Sequence, residues 1–286
     1  SLNINTITGN VTVLEPVSSA EGIPRTWIWE DMGNYFGSAF PSCIYDENIL
    51  KIYLKSDGVG ELTKVLKTEP FLPWLTIESK VKGSTIRTDL AYCFSRPGDD
   101  KITITGTIPA NRKSFLVKAS LPQPALSFAY ALYQELKNQG VSVKRGYSVV
   151  NELNRNAKLI HVHQGATLGV VVQKTNTHSI NVWAETLLNA AHQSDSSSLM
   201  NRTKWLKNEL SKHFNGEAMR IFDGSGLSRF NAVSGSHIVG LLSWMHHHPA
   251  KAAFEKSFAV AGKSGTFSSL LKGTVAAGYV KGKSGY

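Results

Sequence analysis

The last nine residues of the chain carry a basic triplet on a short stretch with β-propensity. They read Gly278-Tyr279-Val280-Lys281-Gly282-Lys283-Ser284-Gly285-Tyr286. Tyr279 and Val280 favour an extended strand, and the glycines allow another chain to approach the backbone closely. The triplet Lys283-Ser284-Gly285 suits the binding of a ligand's carboxylate. The ammonium group supplies positive charge, the hydroxyl supplies a hydrogen bond, and the glycine leaves room for the ligand's backbone. This stretch therefore predicts a strand that ends in an anion site.

The composition is that of an ordinary globular protein. Of the 286 residues, 42% are hydrophobic and 18% are charged, which excludes a disordered or fibrous chain. The net charge is +10, but the basic residues are scattered and form no nucleic-acid motif. An anionic polymer or a substrate with free carboxylates is therefore favoured over nucleic acid. No apolar stretch approaches the length of about 18 residues that predicts a transmembrane segment.

Neither the cysteines nor the histidines indicate a metal site. Cys43 and Cys93 lie far from any metal-ligand spacing, and one disulfide or two buried thiols are both open. The three adjacent histidines 246–248 end a predicted helix and include no i, i+4 pair, and imidazoles suit the dipole at a helix C-terminus. We expect no metal and no cofactor.

Residues 1 to about 118 predict a mostly β region. Between Lys101 and Ile108, isoleucines alternate with threonines, which is the period-two pattern of a half-buried strand. Pro109-Ala110-Asn111 then predicts a turn into residues 114–118, so that the two segments form a hairpin.

The composition changes near residue 119, and the remainder mixes helices with strands. Pro124 begins a predicted helix that Gly140 ends. Helical segments are also predicted at 168–172 and 182–191, with the polar run between them as a loop that directs Ser179 and Asn181 into a cleft. Further helices are expected at 205–214 and 238–245.

Two spaced motifs resemble signature elements of the active-site serine penicillin-interacting enzymes. Ser179-x-Asn181 matches S-x-N, and Lys283-Ser284-Gly285 matches K-[ST]-G. Longer stretches strengthen the likeness, and they are 27–37, 175–185, 223–231, 259–267 and 277–285. Nearly the whole chain resembles the D-alanyl-D-alanine carboxypeptidase/endopeptidase family, the low-molecular-mass penicillin-binding proteins whose catalytic domain carries inserted domains.

This resemblance implies an α+β fold. Residues 119–286 would be the C-terminal part of a penicillin-binding/β-lactamase-like catalytic domain, built from an antiparallel sheet plus helices and incomplete in this chain. Residues 1–118 would be a mostly β inserted accessory region.

The family's nucleophile element, S-x-x-K, is expected before the inserted domains. Two such strings occur here, Ser79–Lys82 and Ser269–Lys272. The chemistry needs serine and lysine one turn apart at a buried helix start, whereas the first string lies in β-like sequence and the second in a linking stretch. We therefore expect a fragment that lacks the nucleophile and is inactive alone.

The resemblance also implies roles in acyl transfer. Ser179 would relay a proton to the leaving amine, Asn181 would hold the substrate's amide, and Lys283 would supply positive charge to its carboxylate. The implied substrate-binding residues are Ser284, Gly285 and Tyr286. The backbone N–H of the last residue would be an oxyanion donor, a group worth about 3–4 kcal/mol.

The implied roles lead to a geometric expectation. Ser179 Oγ and Lys283 Nζ should lie about 2.6–3.2 Å apart, with the serine between helices and the lysine on an antiparallel edge strand. Asn181 should point into the same cleft. A second triplet, Lys263-Ser264-Gly265, is assigned to a preceding turn, because Ala277-Gly278-x-Val280 leads into Lys283. Glu185 is expected to be a solvated or capping residue.

The implied partner is a peptidoglycan stem peptide ending in D-Ala-D-Ala, together with β-lactams for the complete protein, and the implied location is the periplasm or cell envelope. Two alternatives stay open. One is a peptidoglycan-binding pseudo-enzyme that has lost its serine. The other is a β-lactamase or esterase on the same catalytic domain, which the inserted β region disfavours.

Overall fold

The computed structural model describes residues 4–16, 22–38, 43–192, 199–216 and 218–285, and the chain divides into two compact units at Lys158. The first unit contains, in chain order, β1 (Thr6–Ile7), β2 (Val11–Leu14), α1 (Trp29–Met32), β3 (Ile49–Ser56), β4 (Lys64–Glu69), β5 (Thr76–Ser79), β6 (Lys82–Ser84), β7 (Leu90–Phe94), β8 (Lys101–Pro109), β9 (Arg112–Ser120), α2 (Pro124–Asn138), β10 (Ser142–Val143) and β11 (Tyr147–Val150). The composition change at residue 119 falls near the end of β9. An inserted region over 1–118 stays a prediction.

The core of the first unit lies between two sheets. In one, β3 pairs antiparallel with β4 and β9, and in the other β8 pairs parallel with β5 and β6 and antiparallel with β7. Alternate residues of β3 and β8 are fully buried in one cluster, and these are Leu50, Ile52, Leu54, Ile102, Ile104 and Ile108. Each such side chain contributes about 1.5–3 kcal/mol when it leaves water. The half-buried strand predicted at 101–108 is confirmed.

The hairpin predicted across residues 109–111 is wrong. β8 and β9 are consecutive, yet they belong to different sheets, β8 beside β7 and β9 beside β3. Ser56 at the end of β3 holds the turn, because its Oγ donates to the carbonyl of Pro109 at 2.7 Å and accepts from the N–H of Arg112 at 3.1 Å. The two strands therefore diverge instead of pairing with each other.

The helix predicted from Pro124 is confirmed as α2. Pro124 occupies its first turn, and Gly140 follows its end with φ of 83°. α2 packs against the parallel pair β2 and β11, where Ala125 and Ala129 are buried beside Val13. The two open readings of the cysteines are also resolved, since both are free thiols, with Cys93 buried and Cys43 half-buried.

The second unit begins at Leu159 and supplies the site residues. Its elements are α3 (Leu168–His178), α4 (Asn181–Ala191), α5 (Leu199–Ser211), α6 (Gly235–His247), α7 (Lys251–Ser257), β12 (Ala259–Val260) and β13 (Lys281–Gly282). Helices α5 and α6 confirm the segments predicted around 205–214 and 238–245. Among the helices of the described residues, none is both long and apolar enough to cross a membrane.

The polar run 174–178 belongs to α3, so the loop predicted there is wrong. Short polar side chains destabilise helix interiors when they hydrogen-bond to nearby backbone groups in place of the helical hydrogen bonds. Here, however, Asn176 and Thr177 bond to Ser257 instead, each at 2.8 Å. The link between α3 and α4 therefore shrinks to Ser179 and Ile180.

Candidate active site

Ser179 and Lys283, which lie 104 positions apart in the sequence, are in direct contact. Lys283 Nζ donates a hydrogen bond to Ser179 Oγ at 2.7 Å. The distance confirms the expected one, and Ser179 lies between two helices as expected. The strand predicted from Tyr279 onward is shorter than expected, since β13 covers only Lys281–Gly282, and Lys283 directly follows it instead of lying on it. The partner strand β12 is antiparallel, as expected. The second unit thus brings the S-x-N serine to the lysine of the terminal triplet.

The backbone at Ser179 forms a sharp corner. Ser179 caps α3 in the left-handed region, with φ of 58° and ψ of 51°, and its N–H donates to the carbonyl of Thr175. Ile180 is extended, and Asn181 begins α4. The left-handed region costs a residue with a side chain about 1–2 kcal/mol, and such strain concentrates at functional sites. The corner places Ser179 and Asn181 on either side of a single extended residue.

Ser257 fixes the corner relative to the strands. The end of α3 bonds to it twice, because Asn176 donates to its hydroxyl and Thr177 to its carbonyl. Ser257 is fully buried and lies two positions before β12. In the strand pair, Ala259 lies opposite Gly282, immediately before Lys283. The end of α3 is thus linked to Lys283 through Ser257 and the strand pair.

The second triplet occupies the turn after β12, where it was expected. The hydroxyl of Ser264 accepts a hydrogen bond from the N–H of Val260 at 3.0 Å. Gly265 has φ of 57°, and a Cβ there would lie 2.0 Å from the carbonyl oxygen of Thr177. Only glycine allows the turn to lie this close to the end of α3.

The two triplets are neighbours in space. Ser284 Oγ donates to Thr266 Oγ1 at 3.0 Å. Thr266 follows the second triplet directly, and its hydroxyl adds a polar group beside the first triplet, which the motifs alone do not predict. Lys263 Nζ lies beside Gly278, where a Cβ would approach it to 2.6 Å.

Lys283 is an exposed residue, but the surroundings of its ammonium group are partly desolvated. Its Nζ donates to the backbone carbonyl of Ser284 at 2.8 Å as well as to Ser179. Burial around the ammonium group lowers the pKa of Lys283 from its ordinary value. Gly285 follows and is exposed, whereas Tyr286 lies outside the described residues. That Asn181 points into the same cleft stays a prediction.

Glu185 is neither solvated nor a cap, which corrects the expectation from sequence. Glu185 is 1% exposed, and its carboxylate accepts hydrogen bonds from the N–H groups of Gly224 and Ser225 at 2.9–3.0 Å. Burial raises the pKa of Glu185 to about 7, against the lowering effect of these donors. The signal that could have revealed it is its position between Val182 and Leu188 on the apolar face of α4.

Asp223 organises the glycine-rich loop 223–231 from within. Its carboxylate accepts from the N–H of Gly226 at 2.9 Å, from the N–H of Ser228 at 2.6 Å and from the side-chain amide of Asn231 at 2.7 Å. These bonds fix the conformation of the loop, and α4 packs against it through Glu185.

Neither S-x-x-K string lies at a helix start. Ser79 ends β5 and bonds through its hydroxyl to Thr63 at 2.9 Å. Ser269 lies in an exposed turn region. Both strings thus fail the geometric requirement, as expected. Within the described part of the chain, no three His, Cys, Asp or Glu side chains cluster closely enough to hold a metal ion.

The chain has relatives among known proteins. The sequence pattern of the D-Ala-D-Ala carboxypeptidase 3 (S13) family matches residues 3–286. A D-alanyl-D-alanine carboxypeptidase of Actinomadura sp. (strain R39) is 28% identical over 67% of this chain and 38% of its own length. Penicillin-sensitive carboxypeptidase A of Dictyostelium discoideum is 25% identical over 92% of this chain and 52% of its own length.

The fold is also similar to a solved structure. The crystal structure of penicillin binding protein 4 from Haemophilus influenzae superposes with a TM-score of 0.76 at 21% identity, covering 99% of this chain and 64% of that one. The expected α+β fold class is thereby confirmed. The chain spans about two fifths to one half of the length of the curated relatives that it matches. With its family pattern matched from end to end, the chain belongs to the D-Ala-D-Ala carboxypeptidase 3 (S13) family.

Proposed function

We propose that the protein is a serine-type D-alanyl-D-alanine carboxypeptidase/endopeptidase that acts on peptidoglycan stem peptides. The observation that carries the proposal is the 2.7 Å hydrogen bond between Lys283 Nζ and Ser179 Oγ. An ammonium–hydroxyl pair held in one geometry is suited to moving a proton between a reacting amine and a base. The acylating serine and its lysine belong, in this proposal, to a segment outside these 286 residues.

The proposed reaction has two steps. The serine oxygen attacks the carbonyl carbon between the two terminal D-alanines, the C–N bond breaks, and the leaving amine takes up a proton. Water then attacks the resulting ester, which returns the serine and releases the shortened peptide. Ser179 relays the proton to the amine, and Asn181 holds the substrate's amide.

Lys283 serves both the relay and the substrate's terminal carboxylate. Its lowered pKa supports the relay, because an ammonium with a pKa nearer neutrality gives up and regains a proton more readily. Ser284 hydrogen-bonds the carboxylate, Gly285 leaves room for the ligand, and the N–H of Tyr286 is proposed as an oxyanion donor.

The same site would take β-lactams in the complete protein. Penicillin binding protein 4 of Haemophilus influenzae has been crystallised in complex with a novel β-lactam, and its fold resembles this chain with a TM-score of 0.68 at 20% identity. A substrate in the cell wall implies that the protein works in the periplasm or elsewhere in the cell envelope.

The direct test is D-alanine release from a peptide ending in D-Ala-D-Ala by the protein extended to include an S-x-x-K element. Ser179→Ala should lower the rate by about 10²–10⁴, the range of a lost general acid–base group. Asn208→Ala, at an exposed position of α5, is a surface control. Tight binding of the peptide without release, by wild-type protein, would instead favour the peptidoglycan-binding pseudo-enzyme.

A further inference from the structure

Two acidic side chains in the second unit are buried, and the proposed chemistry uses neither. They are Glu185 on α4 and Asp223 in the loop 223–231, which are 1% and 3% exposed. Both carboxylates are satisfied by donors of one loop. Burying a carboxylate is costly unless hydrogen-bond donors surround it, so the donors of this loop are what allows both side chains to be buried.

The contacts of Glu185 join α4 to that loop. Oε1 accepts from the N–H groups of Gly224 and Ser225 at 3.0 and 2.9 Å, and Oε2 accepts from Gly224 at 2.9 Å. Both carboxylate oxygens accept hydrogen bonds, and three such contacts tie one side chain to the backbone of the loop. The glutamate therefore acts as a clamp between the helix and the loop.

The backbone of the loop lies directly on α4. A Cβ at Gly224 would come within 2.9 Å of the carbonyl oxygen of Ala184 and 3.0 Å of Leu188 Cβ. Val182 and Leu188, which flank Glu185 on the same helix face, are buried as well. The loop is internally fixed by Asp223, so the position of α4 against it has little freedom.

The clamp lies one helical turn from the proposed substrate-binding end of α4. Asn181 is the first residue of the helix and Glu185 is four positions further, which places them on one side. Ser179 precedes the helix by only two residues. A change in the position of the first turns of α4 would therefore be transmitted to Asn181 and to the corner at Ser179.

We propose that Glu185 is a positioning residue, whose carboxylate clamps α4 to the loop 223–231 and thereby holds Asn181 where it binds the substrate's amide. This inference rests on the proposed function for the role of Asn181, but the clamp itself does not. The substrate class concerned is an extended peptide whose amide must meet a fixed side-chain amide. A misplacement of about 1 Å in such a contact costs up to about 10²-fold in rate.

Glu185→Gln tests the inference with minimal change in volume. The glutamine retains one acceptor oxygen but turns its NH₂ group toward the N–H of Gly224. Glu209→Gln, on α5 and paired with exposed Lys212 at 2.6 Å, is the matched control. In the D-alanine release assay, normalised to the concentration of folded protein, Glu185→Gln should raise KM by about tenfold or more, and the control should not. A variant that is only less folded would give a lower rate with unchanged KM.

A second measurement on this chain alone separates the two proposals. Glu185→Gln should speed hydrogen exchange of the Gly224 and Ser225 amides and shift the side-chain amide resonance of Asn181. If the extended wild-type protein releases no D-alanine, the proposed function is wrong, but the exchange rates and the Asn181 resonance still test whether Glu185 holds α4 against the loop. An Asn181 resonance that does not shift, or a KM that does not change in an active enzyme, would overturn the positioning role.

Discussion

Lys283 Nζ lies 2.7 Å from Ser179 Oγ, although one residue follows a strand at the end of the chain and the other lies at a corner between two helices. Two separate constraints produce this contact. The end of α3 is bonded to Ser257, and the strand that begins two residues after Ser257 pairs with the strand before Lys283. The pair is therefore a consequence of how the whole second unit folds, and it can be tested by removing either member.

The first prediction distinguishes the two lysine triplets. In the extended protein, Lys283→Ala should abolish D-alanine release from a muropeptide, because it removes the ammonium group in contact with Ser179. Lys263→Ala should retain most of it, since Lys263 Nζ lies beside Gly278. The reverse pattern, or equal losses, would transfer the role to the turn that carries Lys263, which the hydrogen bond between Ser284 and Thr266 places close by.

The second prediction concerns the chain by itself. Neither S-x-x-K string lies at a helix start, so the isolated 286 residues should form no covalent adduct with penicillin. Intact-mass measurement after incubation with the β-lactam checks this. A mass increase that peptide mapping assigns to Ser79 or Ser269 would refute both the prediction and the proposal that the nucleophile lies elsewhere.

Local signals in the sequence predicted those elements whose cause is local. Pro124 and Gly140 bound α2 because proline suits the first helical turn and glycine tolerates the left-handed position after the last. The alternating isoleucines of β8 predicted burial of one face for the same kind of reason. The resemblance of the two motifs to a known family also predicted the contact between Ser179 and Lys283.

Elements that depend on distant partners were not predictable in this way. The partner of β9 is β3, because Ser56 holds the turn before it, and nothing in residues 109–111 encodes that choice. The polar end of α3 is helical because Ser257, about 80 positions away, takes up its side-chain hydrogen bonds. Glu185 is buried because amide donors 39 and 40 positions away surround it.

The third prediction concerns the two thiols. Burial raises the pKa of Cys43 to about 11 and that of Cys93 to about 12. At pH 8 the thiolate fraction of each is then about 10⁻³ or less, so iodoacetamide should alkylate them at least about 100-fold more slowly than a free cysteine. In urea both should react at the ordinary rate, as mass spectrometry can follow. Rapid labelling of Cys43 in the native protein would contradict its burial.

The fourth prediction uses two glycines that differ only in their surroundings. Gly265→Ala adds a Cβ that would lie 2.0 Å from the carbonyl oxygen of Thr177, whereas at Gly273, with φ of 81°, no heavy atom lies within 4 Å. Calorimetry should show a loss of about 1–2 kcal/mol for Gly273→Ala, from the left-handed backbone alone. Gly265→Ala should lose at least about 1–3 kcal/mol more, from overpacking. Equal losses would mean that the turn does not lie against α3.

The last prediction follows from the titration of Glu185. Its pKa rises from an ordinary 4.5 to about 7 on folding, so the folded protein binds this proton more tightly than the unfolded chain. The resulting stability is fully present below pH 4.5 and is lost as the pH rises through 7, with a total of about 3 kcal/mol.

Glu185→Gln cannot titrate, so its free energy of unfolding should fall less than that of the wild type between pH 4.5 and 7. Urea unfolding at several pH values measures the difference, and Glu209→Gln, which changes a half-buried carboxylate paired with Lys212, should follow the wild-type curve. At pH 8 the wild type buries a charged carboxylate, so the variant should compare more favourably with it than at pH 4.5, although the NH₂ group of the variant faces the N–H of Gly224. A weaker substrate affinity, measured where both proteins are fully folded, would then come from a displaced Asn181 and not from partial unfolding. If the wild type instead gains stability relative to the variant as the pH rises from 4.5 to 7, the amide donors outweigh burial and the direction of the pKa shift is wrong.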